Sequence, residues 1–103
     1  MSEHISGEVV LVRIASANKD FNKKMLEELE PHVEGEGLGT VDGMVSLAEE
    51  GWTMLIDVAP THAGLAQTLV IPRLKALLRE LGVADHGSVE LAPVVDEHDQ
   101  WEE

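Results

Sequence analysis

Cysteine and tyrosine are absent from this chain, and the aromatic side chains are limited to one phenylalanine and two tryptophans. Without thiols there is no disulfide, no thiolate-held zinc or iron–sulfur cluster and no cysteine nucleophile, so the fold must hold by packing alone and the redox compartment stays open. Long apolar runs are also missing. The longest, Val9 to Val12, falls far short of the roughly 20 residues that span a bilayer. Met1 to Glu8 carries two acids and no basic residue, so the positive segment that opens a secretory signal is lacking. A cytoplasmic protein without a membrane segment is expected. Basic residues are scarce too: 7 Lys and Arg stand against 20 Asp and Glu. Only Lys19, Lys23 and Lys24 cluster, which speaks against direct binding of DNA or RNA, where phosphate contacts need grouped cations.

What the chain has in excess is acid, with a formal net charge of −13 on 103 residues that are still 44% hydrophobic. That apolar share is ordinary for a globular domain, so the acid coats a folded body and does not signal disorder. The coat covers both halves: residues 1–50 hold 4 basic and 11 acidic side chains, and residues 51–103 hold 3 and 9. It is densest from Glu27 to Glu36 and after Val94. Solubility, adaptation to a halophilic cytoplasm, and recognition of a basic partner are three ways to account for it.

Periodicity orders the elements. Glu8 to Ala15 is short and rich in β-branched residues, which predicts a central strand with Val10, Val12 and Ile14 on one face and Val9, Leu11 and Arg13 on the other. Ser16 or Asn18 can cap the helix that follows, expected from about Lys19 to Glu30, with Phe21, Met25 and Leu29 as its apolar stripe, widened by Leu26 and Val33. Pro31 is read as its end. Gly39 to Ala48 and Trp52 to Val58 alternate with period two and are joined by a short polar turn, which predicts a hairpin. Leu65, Leu69, Leu74, Leu77, Leu78 and Leu81 fit one face of a second helix from His62 to Leu81, with Thr61 as N-cap and Gly82 just past its end. Pro72 falls inside this helix and kinks it; alternatively it opens a separate helix after a short turn over residues 62–70. Ser88 to Ala92 makes the last strand. Strand, helix, hairpin, helix, strand is the order of an α+β, ferredoxin-like βαββαβ sandwich: a four-stranded antiparallel sheet with two helices on one face. The domain is expected over residues 8–93, between a flexible N-terminus at 1–7 and an acidic tail at 94–103.

Few residues suggest chemistry. Five histidines, His4, His32, His62, His86 and His98, lack the spacing of a helical zinc site, and no P-loop or dinucleotide fingerprint occurs. No metal, cofactor or catalytic group is expected. Thr61, His62 and Gly64, opening the second helix, form the best small-ligand candidate with Asp57 nearby, because free N–H groups at a helix start attract anions and His62 can move a proton. Asp42 and Asp57 face one another across the hairpin if the register allows. The stretch from Gly39 to Val83, mainly V-D-G-M-V followed by a strand and a T-x-x-x helix start, resembles the small iron–sulfur assembly domains. Where that family carries a cysteine near the helix start this chain has His62 and Ala63, so its activity is not carried over.

A ferredoxin-like sheet leaves one face open. Val9, Leu11, Met44, Trp52 and Met54 are the candidates for an apolar contact surface there, and Glu27, Glu28, Glu34 and Glu36 for an acidic one. The expected function is a non-catalytic acidic binding or regulatory module for a protein partner, a basic one if the acidic coat is what recognises it, of the inhibitor, immunity or nucleic-acid-mimic type, paired as a homodimer through the open face. The alternative is a small enzyme or ligand sensor with a pocket near His62 and Asp57.

Overall fold

The computed structural model describes residues 8–47 and 51–92. Val9–Ile14 forms β1, Lys19–Gly35 α1, Gly39–Leu47 β2, Gly51–Val58 β3, Ile71–Glu80 α2 and Gly87–Leu91 β4. The strands make one sheet in the order β2-β3-β1-β4, and every neighbouring pair is antiparallel. With β1 central and the two helices packed on the sheet, this is the ferredoxin-like α+β layout.

β1 alternates as its sequence requires. Val10, Val12 and Ile14 are buried beneath the helices, while Val9, Leu11 and Arg13 are half-buried on the other side. On β3, Met54 and Ile56 stand opposite Val12 and Val10 and are wholly buried, so the central pair of strands forms the floor of the core.

The helix α1 starts where Asn18 accepts a hydrogen bond from the Phe21 N–H at 3.0 Å, satisfying one of the free donors of the first turn. It continues past Pro31 to Gly35, five residues beyond the end expected at Glu30. Pro31 removes only the bond its N–H would have made to the Glu27 carbonyl, and both residues are exposed, so water can take up the loss. Burial of Val33, one turn after Leu29, holds the extra turn on the sheet. The end is closed by Gly37 N–H to the Glu34 carbonyl and Leu38 N–H to the Val33 carbonyl, the pair of bonds of a Schellman motif. The end of α2 is built the same way, by Gly82 N–H to the Arg79 carbonyl and Val83 N–H to the Leu78 carbonyl.

The segment before α2 differs from the expected kinked helix. Pro60–His62 is a separate 3₁₀ turn, and the helical run begins only at Ala66 with a π-helical turn, Ala66–Val70, that passes directly into α2. Pro72 therefore lies in the first turn of α2, just after the π-helical turn. Ala66 and Val70 are buried, in line with Leu74, whereas Leu65 and Leu69, expected on the apolar face of one helix running from His62, are 39% exposed. The residues expected as an N-terminal arm, the polar turn of the hairpin and the acidic tail lie outside the described residues.

Candidate functional site

The open face of the sheet follows from the register. Leu11 on β1 faces Leu55 on β3, which faces Gly43 on β2; Val9 faces Asp57, and Asp57 faces Thr40. Val9, Leu11 and Leu55 are half-buried and Val45 is 43% exposed, giving an apolar strip across three strands. Arg13 lies at one end of it, reaching Thr53 Oγ1 at 3.5 Å and Glu90 at 3.9 Å. Thr53 is only 5% exposed, although it belongs to the open face.

Three residues expected in an apolar contact surface turn the other way. Met54 is wholly buried in the core, and Met44 and Trp52 pack against it from the helix side. Met54 and Trp52 follow the alternation of β3, which sets them opposite Val12 and Ile14 on the core side; Met44 follows from an irregularity in β2 between Val41 and Gly43, where Asp42 is inserted without a partner and the register shifts by one. Strict alternation puts Val41 and Met44 on opposite faces, but the bulge puts both on the helix side, opposite Ile56 and Met54. Asp42, which has no partner, does not face Asp57, whose partner across the hairpin is Thr40. Leu55, by the alternation of β3, and Val45 occupy the open face. The outward placement of Val45 becomes legible in the sequence once Asp42 is taken as the extra residue.

Of the acidic candidates, Glu27, Glu28 and Glu34 are exposed on α1, with Lys23 reaching Glu27 at 4.0 Å one turn away. Glu36 is committed within the molecule: its carboxylate accepts two hydrogen bonds from Arg73, each 2.7 Å. Hydrogen bonding to that guanidinium holds the Glu36 carboxyl below the usual glutamate range. Acid in the last turn of a helix opposes the helix dipole, and Arg73 offsets this at the C-terminus of α1.

The candidate ligand residues do not converge. Asp57 is exposed on the open face of the sheet, while Thr61 and His62 belong to the 3₁₀ turn, where Thr61 Oγ1 lies 3.4 Å from His62 Nδ1. Among the described residues no hydrogen bond or ion pair joins Asp57 to that turn. Gly64 does bind an anion, but it is the chain's own: Glu8 Oε1 accepts the Gly64 N–H at 2.9 Å. No group of three or more His, Asp or Glu placed to hold a metal occurs among the described residues, and no helix there is long and apolar enough to cross a membrane.

Two features escape a reading of the sequence. Asn22 is wholly buried on the inner face of α1, where its amide accepts from Ser16 Oγ and from the Ser16 N–H at 3.2 Å and donates to the Ser16 carbonyl at 3.2 Å. Its position four residues before Leu26 is the available signal. The second is a cavity of about 170 Å³ between α2 and β4, lined by Lys75, Leu78, Arg79, Ala84, Gly87, Ser88 and Val89. No family model, curated protein or solved structure matches the chain.

Proposed function

We propose that this chain is a non-catalytic acidic binding module for a protein partner, of the inhibitor, immunity or nucleic-acid-mimic type, and that it pairs with a second copy through the open face of its sheet. The observation that carries the reading is the apolar strip of Val9, Leu11, Leu55 and Val45 on the face that no helix among the described residues covers. Contiguous apolar side chains ringed by polar ones favour association, and a two-fold contact needs a face that complements itself. Arg13 stands on this face with Asp57 and Glu90, so both signs of charge are present for pairing across such an axis. The exposed acids Glu27, Glu28 and Glu34 remain on α1, apart from that contact, and suit a basic partner.

Sedimentation equilibrium over a range of concentrations and salt tests the pairing. The expected mass is twice the 11.2 kDa of one chain, retained in high salt, where repulsion between two acidic copies is screened. Leu11→Glu is expected to give the single-chain mass with an unchanged circular dichroism spectrum. A wild-type chain that stays monomeric at all concentrations overturns the homodimer. Capture of a basic partner from native lysate should weaken as salt rises, and a partner held equally well in molar salt rules out the acidic surface as its site.

A further inference from the structure

Three of the seven basic residues of this acidic chain, Arg73, Lys75 and Arg79, lie on the ten-residue helix α2. Arg73 is engaged by Glu36 and Glu80. The side chains of Lys75 and Arg79 have no ion-pair or hydrogen-bond partner among the described residues, and both line the cavity of about 170 Å³ against β4. A second hollow of about 300 Å³, bounded by Arg79, Gly82, Ala84 and Asp85, adjoins it. In a molecule with a net charge of −13, two unpaired cations side by side on a cavity are a local reversal of sign.

The other wall of that cavity is a sheet edge. Among the described residues β4 pairs only with β1, and the bonds from Ala92 N–H to the Val9 carbonyl and from Ala15 N–H to the His86 carbonyl fix which residues face the ladder. In an antiparallel pair these alternate, so Ser88 and Glu90 bond toward β1, while Val89 and Leu91 turn their N–H and C=O groups to the free edge. An edge of this kind is a template for one more strand.

We infer that the cleft between α2 and β4 binds an extended acidic peptide segment of another protein, added to the sheet as a fifth strand beside β4. The backbone of the peptide pairs with Val89 and Leu91, and its carboxylates meet Lys75 and Arg79. The spacing agrees: Lys75 and Arg79 are four residues apart on a helix, a rise of about 6 Å, and alternate side chains of a strand recur about every 7 Å. Acids at every second position therefore match the two cations, while Leu78 and Val89 supply an apolar floor. A small free anion would satisfy the cations but leave the strand edge unused, which favours a peptide. This surface lies apart from the apolar strip of the open face.

The test uses a fluorescein-labelled octapeptide of alternating glutamate and valine, added to the full chain and followed by anisotropy. Saturable binding that weakens with salt is expected. The double variant Lys75→Glu with Arg79→Glu should weaken it by about tenfold or more, with thermal unfolding of the protein unchanged because both side chains are exposed. Methylating alternate backbone nitrogens of the peptide, on the edge that pairs, should weaken it similarly. Binding that survives both changes overturns the proposal. Displacement by millimolar phosphate or free glutamate also overturns it, by making the cleft a small-anion pocket. If deleting residues 94–103 is needed before the peptide binds, the chain's own acidic segment is the occupant, and the proposal of a partner peptide is likewise overturned.

Discussion

Arg73 and Glu36 join the start of α2 to the end of α1 through two parallel hydrogen bonds of 2.7 Å, the fork geometry that only an arginine offers a carboxylate. Because the pairing lowers the Glu36 pKa, its contribution to stability is fully present above the pKa of the unfolded chain and is lost as pH falls through the lower folded value. Carboxyl titration by NMR should find Glu36 below the usual glutamate range. In Arg73→Gln it should return to the ordinary glutamate range, and in Arg73→Lys it should move part of the way back. A Glu36 that titrates identically in all three would show that the pair does not form in solution.

Adjacent residues on β3 offer a second test, because Met54 is wholly buried and Leu55 lies on the open face. Met54→Ala should cost about 2–5 kcal/mol of unfolding free energy through the cavity it leaves. Leu55→Ala should cost about 1 kcal/mol or less in the monomer while weakening self-association. Denaturant unfolding of the two variants, at a concentration below that of pairing, separates the effects, and equal costs would mean the faces are misassigned.

Asn22 binds Ser16 by three hydrogen bonds at the entry to α1. Asn22→Ala should destabilise by about 1–3 kcal/mol, since it strips partners from the Ser16 backbone. Asn22→Asp keeps the acceptor but loses the donor, so it should fall between wild type and alanine at neutral pH. Urea midpoints would rank the three.

Gly51 opens β3 with a φ of +77°, and a side chain there would bring its Cβ within 2.2 Å of the Ile14 carbonyl oxygen. Gly51→Ala should therefore cost at least about 2 kcal/mol, combining the left-handed backbone penalty with displacement of β1. Gly64, with a similar φ of +80° but nothing within 4 Å, is the control and should lose about 1 kcal/mol. Thermal melts that place the two variants together would contradict the close approach of β1.

The layout of strands and helices was legible because each element carries its own period: β-branched alternation in Val9 to Ile14, and the helical spacing of Leu26, Leu29 and Val33. What was not legible depends on a single residue changing phase. The bulge at Asp42 is marked only by the glycine after it, Gly43, which signals a bulge or a turn alike, yet it decides whether Met44 or Val45 faces the open side. Pro31 reads as a stop, but burial of Val33 beyond it outweighs one missing hydrogen bond. The spacing of Leu65 and Leu69 places them on the apolar face of one helix running from His62, but the 3₁₀ turn and the π-helical turn that stand there bury Ala66 and Val70 instead. At the candidate sites, the interaction of Glu8 with Gly64 spans 56 positions, and neither end signals the other. The cleft of Lys75 and Arg79 escaped notice because a spacing of four on a helix is ordinary; the nearby strand edge gives it meaning.

The inserted Asp42 splits β2 into two stretches of opposite parity. In the first, odd-numbered residues point to the helices, and in the second, even-numbered ones do, as Val41 and Met44 illustrate. Losing that one residue would leave a regular strand with Val41 and Met44 still on the helix side, because plain alternation across the deletion reproduces the facing that the bulge preserves. The length of β2 at this point is thus a tolerated variable: the strand absorbs one residue without turning a core-facing side chain outward, a change that point substitution cannot mimic.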